Sequence, residues 1–192
     1  MKFVIKSVSM DDVAKELHIS KKTIYQYFKN KEDLISAMLQ FYIENDHTSY
    51  LKSFANKDMN AIDELLLTSR WVCNNFKNVN PAHLFDLKKY YTRQFDDFWV
   101  KKREQVFDSI KANLERGIQE KVYRDSLNID LIARLYALRL EDFHGQDGDF
   151  FGKYTFEEVF KTQFENHIRA ICNSEGIKYF ESKKDDYKQF FA

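Results

Sequence analysis

From His18 through Lys31 the chain carries four lysines (Lys21, Lys22, Lys29 and Lys31) and no acid, interleaved with Tyr25 and Tyr27. Ammonium groups pair with phosphate oxygens, and phenolic hydroxyls donate to them. Polar side chains at a helix start reach base edges in a DNA groove. The stretch SKKTIYQYFKNKEDL, Ser20 to Leu34, therefore suits a surface laid on a polyanion. Residues 1–31 hold seven lysines against three acids, Asp11, Asp12 and Glu16, while the formal net charge of the whole chain is zero. The basic footprint is local.

Other chemistries find less support. The five histidines (18, 47, 83, 144 and 167) show no HxxxH or HExxH spacing, and Cys73 and Cys172 stand far apart without a CxxC. No metal site is expected from such spacings. No GxSxG, phosphate-binding loop or dinucleotide fingerprint occurs, so the sequence points to no enzyme and to no cofactor. Two widely separated thiols suit a reducing compartment. MKFVIKS is too short for a signal peptide, and no run of about 18 apolar residues is present to span a bilayer. The expectation is a cytoplasmic protein with no membrane partner.

The elements that must position these residues are helical. In 192 residues there are one proline and five glycines, with 44% apolar and 31% charged residues. Long segments follow a three-to-four-residue apolar period, which predicts an all-α fold. Ser9, with Asp12 three residues on, predicts a capped helix with Val13, Ala14 and Leu17 on its apolar face. Ser20 predicts a second cap, for a short helix directing Ile24 and Phe28 inward. Asn30, with Asp33, predicts a third, for a longer helix through Leu34, Met38, Phe41 and Tyr42. Two short helices, a tight turn and a long helix are helix-turn-helix geometry. Further helices are expected over 60–78, over 84–91 after Pro81, over 94–120, over 129–143 behind Asn128, and from Thr155 through Ile171. Residues 145–152 read as a loop, and the tail 176–192 as a weakly docked terminal helix.

The run SVSMDDVAKELHISKKTIYQYFKNKEDLI resembles the DNA-binding module of the tetracycline-repressor (TetR) family of bacterial transcription regulators. The matching features are an amphipathic helix centred on an alanine, a turn, then Ser-Lys-x-Thr-apolar-Tyr-x-Tyr-Phe, then Lys-x-Lys-Glu-Asp-Leu. The resemblance implies an N-terminal helix-turn-helix module, residues 1–48, followed by a larger helical effector-binding and dimerisation domain, residues 49–192. It implies a ligand-responsive repressor that binds a palindromic double-stranded operator as a homodimer. Ser20, Lys21, Lys22, Thr23, Tyr25, Tyr27 and Lys31 fall on the operator-contacting surface, with Lys31 expected to clamp a phosphate at the start of the third helix. The family carries a glycine where this chain has His18, and a whole helix where this chain has MKFVIKS, so the module is expected to be truncated at its N-terminus. The alternative is a dimeric small-molecule-binding or protein-interaction module that has lost DNA binding.

By the same resemblance, an unidentified small-molecule effector would occupy the second domain. Trp71, Cys73, His83, Phe95, Phe98 and Trp99 are candidates for lining its pocket, in the aromatic-rich segment bordered by the helix from Pro81. The last two long helices would build the dimer interface through Ile132, Tyr136, Phe156, Phe160, Phe164 and Ile168, an apolar stripe too wide for one face.

Overall fold

A side chain that accepts the first free amide of a turn fixes where a helix begins, and five of the expected caps do so. Ser9 and Asp12 form a reciprocal capping box for α1, Met10–Glu16. Ser20 caps α2, Lys21–Tyr27. Asn30 accepts from the amide of Asp33 at 2.8 Å to open α3, Lys31–Phe54. The computed structural model describes residues 5–54, 59–76, 79–139 and 153–188, the side chains of 46–54, 76, 81 and 184–188 excepted. Within these residues follow α4, Ala61–Phe76, α5, Pro81–Tyr90, α6, Thr92–Gln119, and α7, Ile129–Leu138. The last two helices are α8, Phe156–Ile171, and α9, Ser174–Lys188. Asn128 caps α7, and Thr155 with Glu158 boxes the start of α8. A 3-10 turn over Ile5–Ser7 precedes α1. Among the described residues there is no strand, only one isolated bridge between Tyr123 and Cys172. The chain is all-α.

The helix near Pro81 begins there, three residues before the expected Leu84, because the Asn80 side chain accepts from the amide of Ala82. The expectations for residues 77–78 of the 60–78 helix, for the 129–143 helix beyond Arg139, for the 145–152 loop and for the tail beyond Lys188 lie outside the described residues, as does the side chain of His47.

The chain divides into two compact units, residues 1–49 with 79–102, and residues 50–78 with 103–192. The unit that contains the helix-turn-helix is thus larger than residues 1–48 alone. In it, Met10, Ala14 and Ile24 form the buried centre of α1 and α2, with Val13, Phe28 and Leu34 packed against them. Leu17, expected on the inward face, is exposed. The register of α3 also differs from expectation: Ile35 and Ile43 are buried, whereas Met38, Phe41 and Tyr42 face outward. This helix is apolar on several sides, so spacing alone could not select the face that its neighbours cover.

The second unit has a hydrophobic core among its described residues. It joins Ile62 and Leu65 of α4, Phe107 and Leu114 of α6, Ala133 and Ala137 of α7, Phe160, Phe164 and Ile168 of α8, and Phe180 of α9. A buried amide fastens the start of α4 to α6. Asn113 Nδ2 donates to the Ala61 carbonyl at 2.9 Å and to Glu64 at 3.2 Å, and its Oδ1 accepts from the Tyr123 hydroxyl at 2.9 Å. The terminal helix is not weakly docked. Phe180 is 0% exposed, and the Tyr179 hydroxyl donates to Asp63 at 2.8 Å across 116 residues of sequence. Gly176 permits this approach, since a Cβ there would stand 2.0 Å from the Val122 carbonyl oxygen.

Candidate nucleic-acid interface

Presentation of α2 depends on the turn before it. His18 adopts φ 54, the left-handed conformation that closes α1, with the Ile19 amide donating to Ala14 O at 3.0 Å. For a side chain other than glycine this conformation costs roughly 1–2 kcal/mol, which the packing of α1 on α2 offsets. Ile24 then faces inward and is buried, which turns the opposite side of α2 to solvent.

That outer side carries the residues singled out from the sequence. Lys22 is exposed and has no ion pair or hydrogen bond among the described residues. Tyr25 is exposed, and Tyr27 is 76% exposed. Among the described residues Tyr27 meets the ring of Phe28 at 6.5 Å and makes no hydrogen bond, which leaves its hydroxyl open. Lys21 is exposed but pairs with Asp11 at 2.7 Å, and this carboxylate holds the Lys21 ammonium above the usual lysine range. Such an exposed pair opens readily when a stronger anion arrives. The Ser20 and Thr23 hydroxyls share a 2.7 Å hydrogen bond, and Ser20 Oγ accepts from the Thr23 amide, so both are partly used by the cap.

Lys31 departs from its expected place. Its ammonium donates to the carbonyls of Ile5 at 2.6 Å and Lys6 at 3.1 Å and lies 5.6 Å from the ring centre of Tyr91. The group expected to clamp a phosphate instead fastens the N-terminal turn to α3. The same turn is tied to α5: the Lys6 amide donates to buried Asp86 at 2.8 Å, and the Lys6 ammonium sits 4.1 Å from the ring centre of Tyr90. No local signal marks Asp86, because its partner lies 80 residues away.

The residues considered for an effector pocket fall in different units. His83, Phe95, Phe98 and Trp99 belong to the first, where Trp99 takes edge contacts from Phe95 at 5.9 Å and Phe98 at 5.1 Å. Trp71 and buried Cys73 lie on α4 in the second. The residues considered for dimerisation all lie in the second unit, but Phe160, Phe164 and Ile168 are buried in its own core. Ile132, Tyr136 and Phe156 pack partly against that core. The exposed side of α8 is polar, with Glu158, Thr162, Asn166 and Arg169, whereas α7 exposes Leu131, Leu135 and Leu138. Among the described residues no group of three or more His, Cys, Asp or Glu could hold a metal ion, and no helix is long and apolar enough to cross a membrane.

Residues 5–38 match the family model described as bacterial regulatory proteins, tetR family. Over 158 residues the chain is 23% identical to an uncharacterized HTH-type transcriptional regulator, YvaF, of Bacillus subtilis, covering 81% of each chain. Its fold is similar to that of regulatory protein TetR from Rhodobacter sphaeroides, with TM-score 0.60 and 14% identity over 85% of this chain and 89% of that one. It is similar also to FadR from Bacillus subtilis in complex with stearoyl-CoA, with TM-score 0.60 and 15% identity over 85% and 88% of the two chains. Residues 5–38 thus carry a capped helix-turn-helix that matches the tetR family of bacterial regulatory proteins, on a chain whose fold is similar to that of solved regulators.

Proposed function

We propose that this regulator binds a two-fold-symmetric DNA operator as a homodimer, with α2 in the major groove, and that a small molecule bound in its second unit alters that binding. The observation that carries the reading is the outer side of α2, where Lys22, Tyr25 and Tyr27 stand exposed above a helix anchored by buried Ile24. Lys22 and Thr23 sit in the first turn, the end that reaches base edges, and the two tyrosines suit phosphate oxygens. The second-unit ligand is supported by the likeness to FadR, whose structure holds stearoyl-CoA. The reading is of a cytoplasmic regulator with no catalytic step.

An electrophoretic shift with DNA upstream of its own gene tests the proposal. Lys22→Ala should change the preferred sequence by roughly 1–3 kcal/mol at the base it reads. Tyr27→Phe should weaken all sequences alike, with an unchanged salt dependence because no charge is lost. No binding to any operator-length duplex would overturn the reading.

Lys31 is assigned to structure rather than to phosphate. Lys31→Ala should lower stability by about 1 kcal/mol through loss of its two carbonyl contacts and leave the salt slope of DNA binding unchanged. A slope smaller by about one unit in that variant would return Lys31 to the DNA-contacting set.

A further inference from the structure

The second unit holds a buried polar atom without a partner. His167 on α8 is 8% exposed, and its Nε2 makes no hydrogen bond among the described residues. Its ring centre lies 4.5 Å from that of Tyr136 on α7, tilted by 55°. Tyr136 is half-buried, and its hydroxyl likewise has no hydrogen bond among the described residues. Buried polar groups in folded chains are hydrogen-bonded to protein, to water or to a bound molecule. The buried, unsatisfied His167 Nε2, with the half-buried Tyr136 ring and its unbonded hydroxyl beside it on the neighbouring helix, marks a place where a third group can be received.

The surroundings define the chemistry of that third group. Tyr136 packs against the core that contains Cys73, Ala133, Ala137, Phe160 and Phe164, so the surroundings are aromatic or small and apolar. Burial, with a smaller contribution from the charge of Arg139, lowers His167 to about 4. Burial pushes the Tyr136 phenol up to about 12. Both groups are uncharged near neutral pH and offer an ionic ligand no counter-charge. A hydroxyl fits them in either imidazole tautomer. It can donate to a bare Nε2 while accepting from Tyr136, or accept from a protonated Nε2 while donating to Tyr136. A carbonyl satisfies only the second arrangement, and an aromatic body suits the ring-lined walls.

We propose that His167 and Tyr136 form the polar end of a site in the second unit for a small uncharged phenol. The inference rests on the reading of that unit as ligand-responsive and adds the class of ligand and the two groups that recognise it.

The test uses the full chain with 15N-labelled histidine imidazoles, the His167 signal being assigned by its loss in His167→Gln. Titration with millimolar p-cresol should move the His167 Nε2 resonance saturably, whereas toluene, the same shape without the hydroxyl, should leave it in place. Tyr136→Phe should weaken p-cresol binding roughly tenfold, the loss of about one hydrogen bond in a desolvated site, without changing the affinity for toluene. An unmoved His167 resonance, an equal response to toluene, or an unchanged p-cresol affinity in Tyr136→Phe would each overturn the site. The wild-type titration decides the matter even if a variant fails to fold. Operator binding measured in parallel separates the two readings: p-cresol bound at His167 with unchanged DNA affinity would keep the site and remove its regulatory role.

Discussion

Phe164→Asp is expected to leave no cooperatively folded protein at neutral pH. Phe164 is 2% exposed, lies 6.2 Å from the stacked ring of Phe160, and shares the core with residues from five helices. Truncating a buried phenylalanine costs roughly 3–5 kcal/mol. A carboxylate placed in that apolar core adds several kcal/mol more before it is protonated. Together these reach the whole stability of a typical domain, about 5–15 kcal/mol. Far-UV circular dichroism with a thermal melt reads the outcome directly. A helical, cooperatively melting monomer would show instead that Phe164 serves an interface between copies, not the core.

The contrast is with Leu135→Asp on α7. Leu135 is 50% exposed, and with Leu131 and Leu138 it forms an outward row at positions i, i+4 and i+7. A charge at this position should leave the subunit folded and weaken self-association in sedimentation, if the proposed homodimer uses the face of α7. That result would put the interface on the outward face of α7 rather than on the aromatic stripe of α8, the other helix expected to build it. The period of α8 states how wide its apolar face is, but not whether the cover is the same chain or another copy. Here the same chain covers Phe160, Phe164 and Ile168, and the solvent side of α8 is polar.

What was legible in the sequence was what short-range chemistry decides. Ser9, Ser20, Asn30, Asn128 and Thr155 each accept an amide three residues ahead, so the starts of α1, α2, α3, α7 and α8 follow from local spacing. The outer side of α2 is legible for the same reason: once Ile24 is inward, Lys22, Tyr25 and Tyr27 are outward. Lys31 was not, because its partners are carbonyls 25 and 26 residues away, on a turn held in addition by Asp86 of α5. The docking of α9 was hidden too. Its charged residues suggest a loose tail, whereas Phe180, Gly176 and the Tyr179–Asp63 pair are decided by surfaces more than fifty residues earlier in the chain. A row of aromatic residues such as Trp71, Phe95 and Trp99 reads as one cluster along the sequence but falls into two units in space.

The buried imidazole has a consequence for stability that can be measured without any ligand. The ordinary histidine value is 6.5, and in the folded chain burial first, then the nearby charge of Arg139, brings His167 to about 4. A depressed value means that the folded state holds His167 neutral while the unfolded chain takes up a proton. Its share of stability is therefore fully present above pH 6.5 and is lost as pH falls from there towards 4. The loss between pH 7 and pH 5 should be about 2 kcal/mol, since each unit of separation is worth about 1.4 kcal/mol. The capping carboxylates contribute at lower pH. Asp12 and Glu158, held down chiefly by hydrogen bonds from Ser9 and Thr155, lose their share only as pH falls below their ordinary values of 3.8 and 4.5. Urea unfolding at pH 7, 6 and 5 therefore isolates the histidine. His167→Gln, which keeps a polar side chain but cannot titrate, should flatten the decline over this range, whatever it does to stability at pH 7. Parallel curves for the wild type and His167→Gln would show that the imidazole is reached by water or already paired when protonated, and that the buried, unpartnered state of Nε2 does not describe the protein in solution.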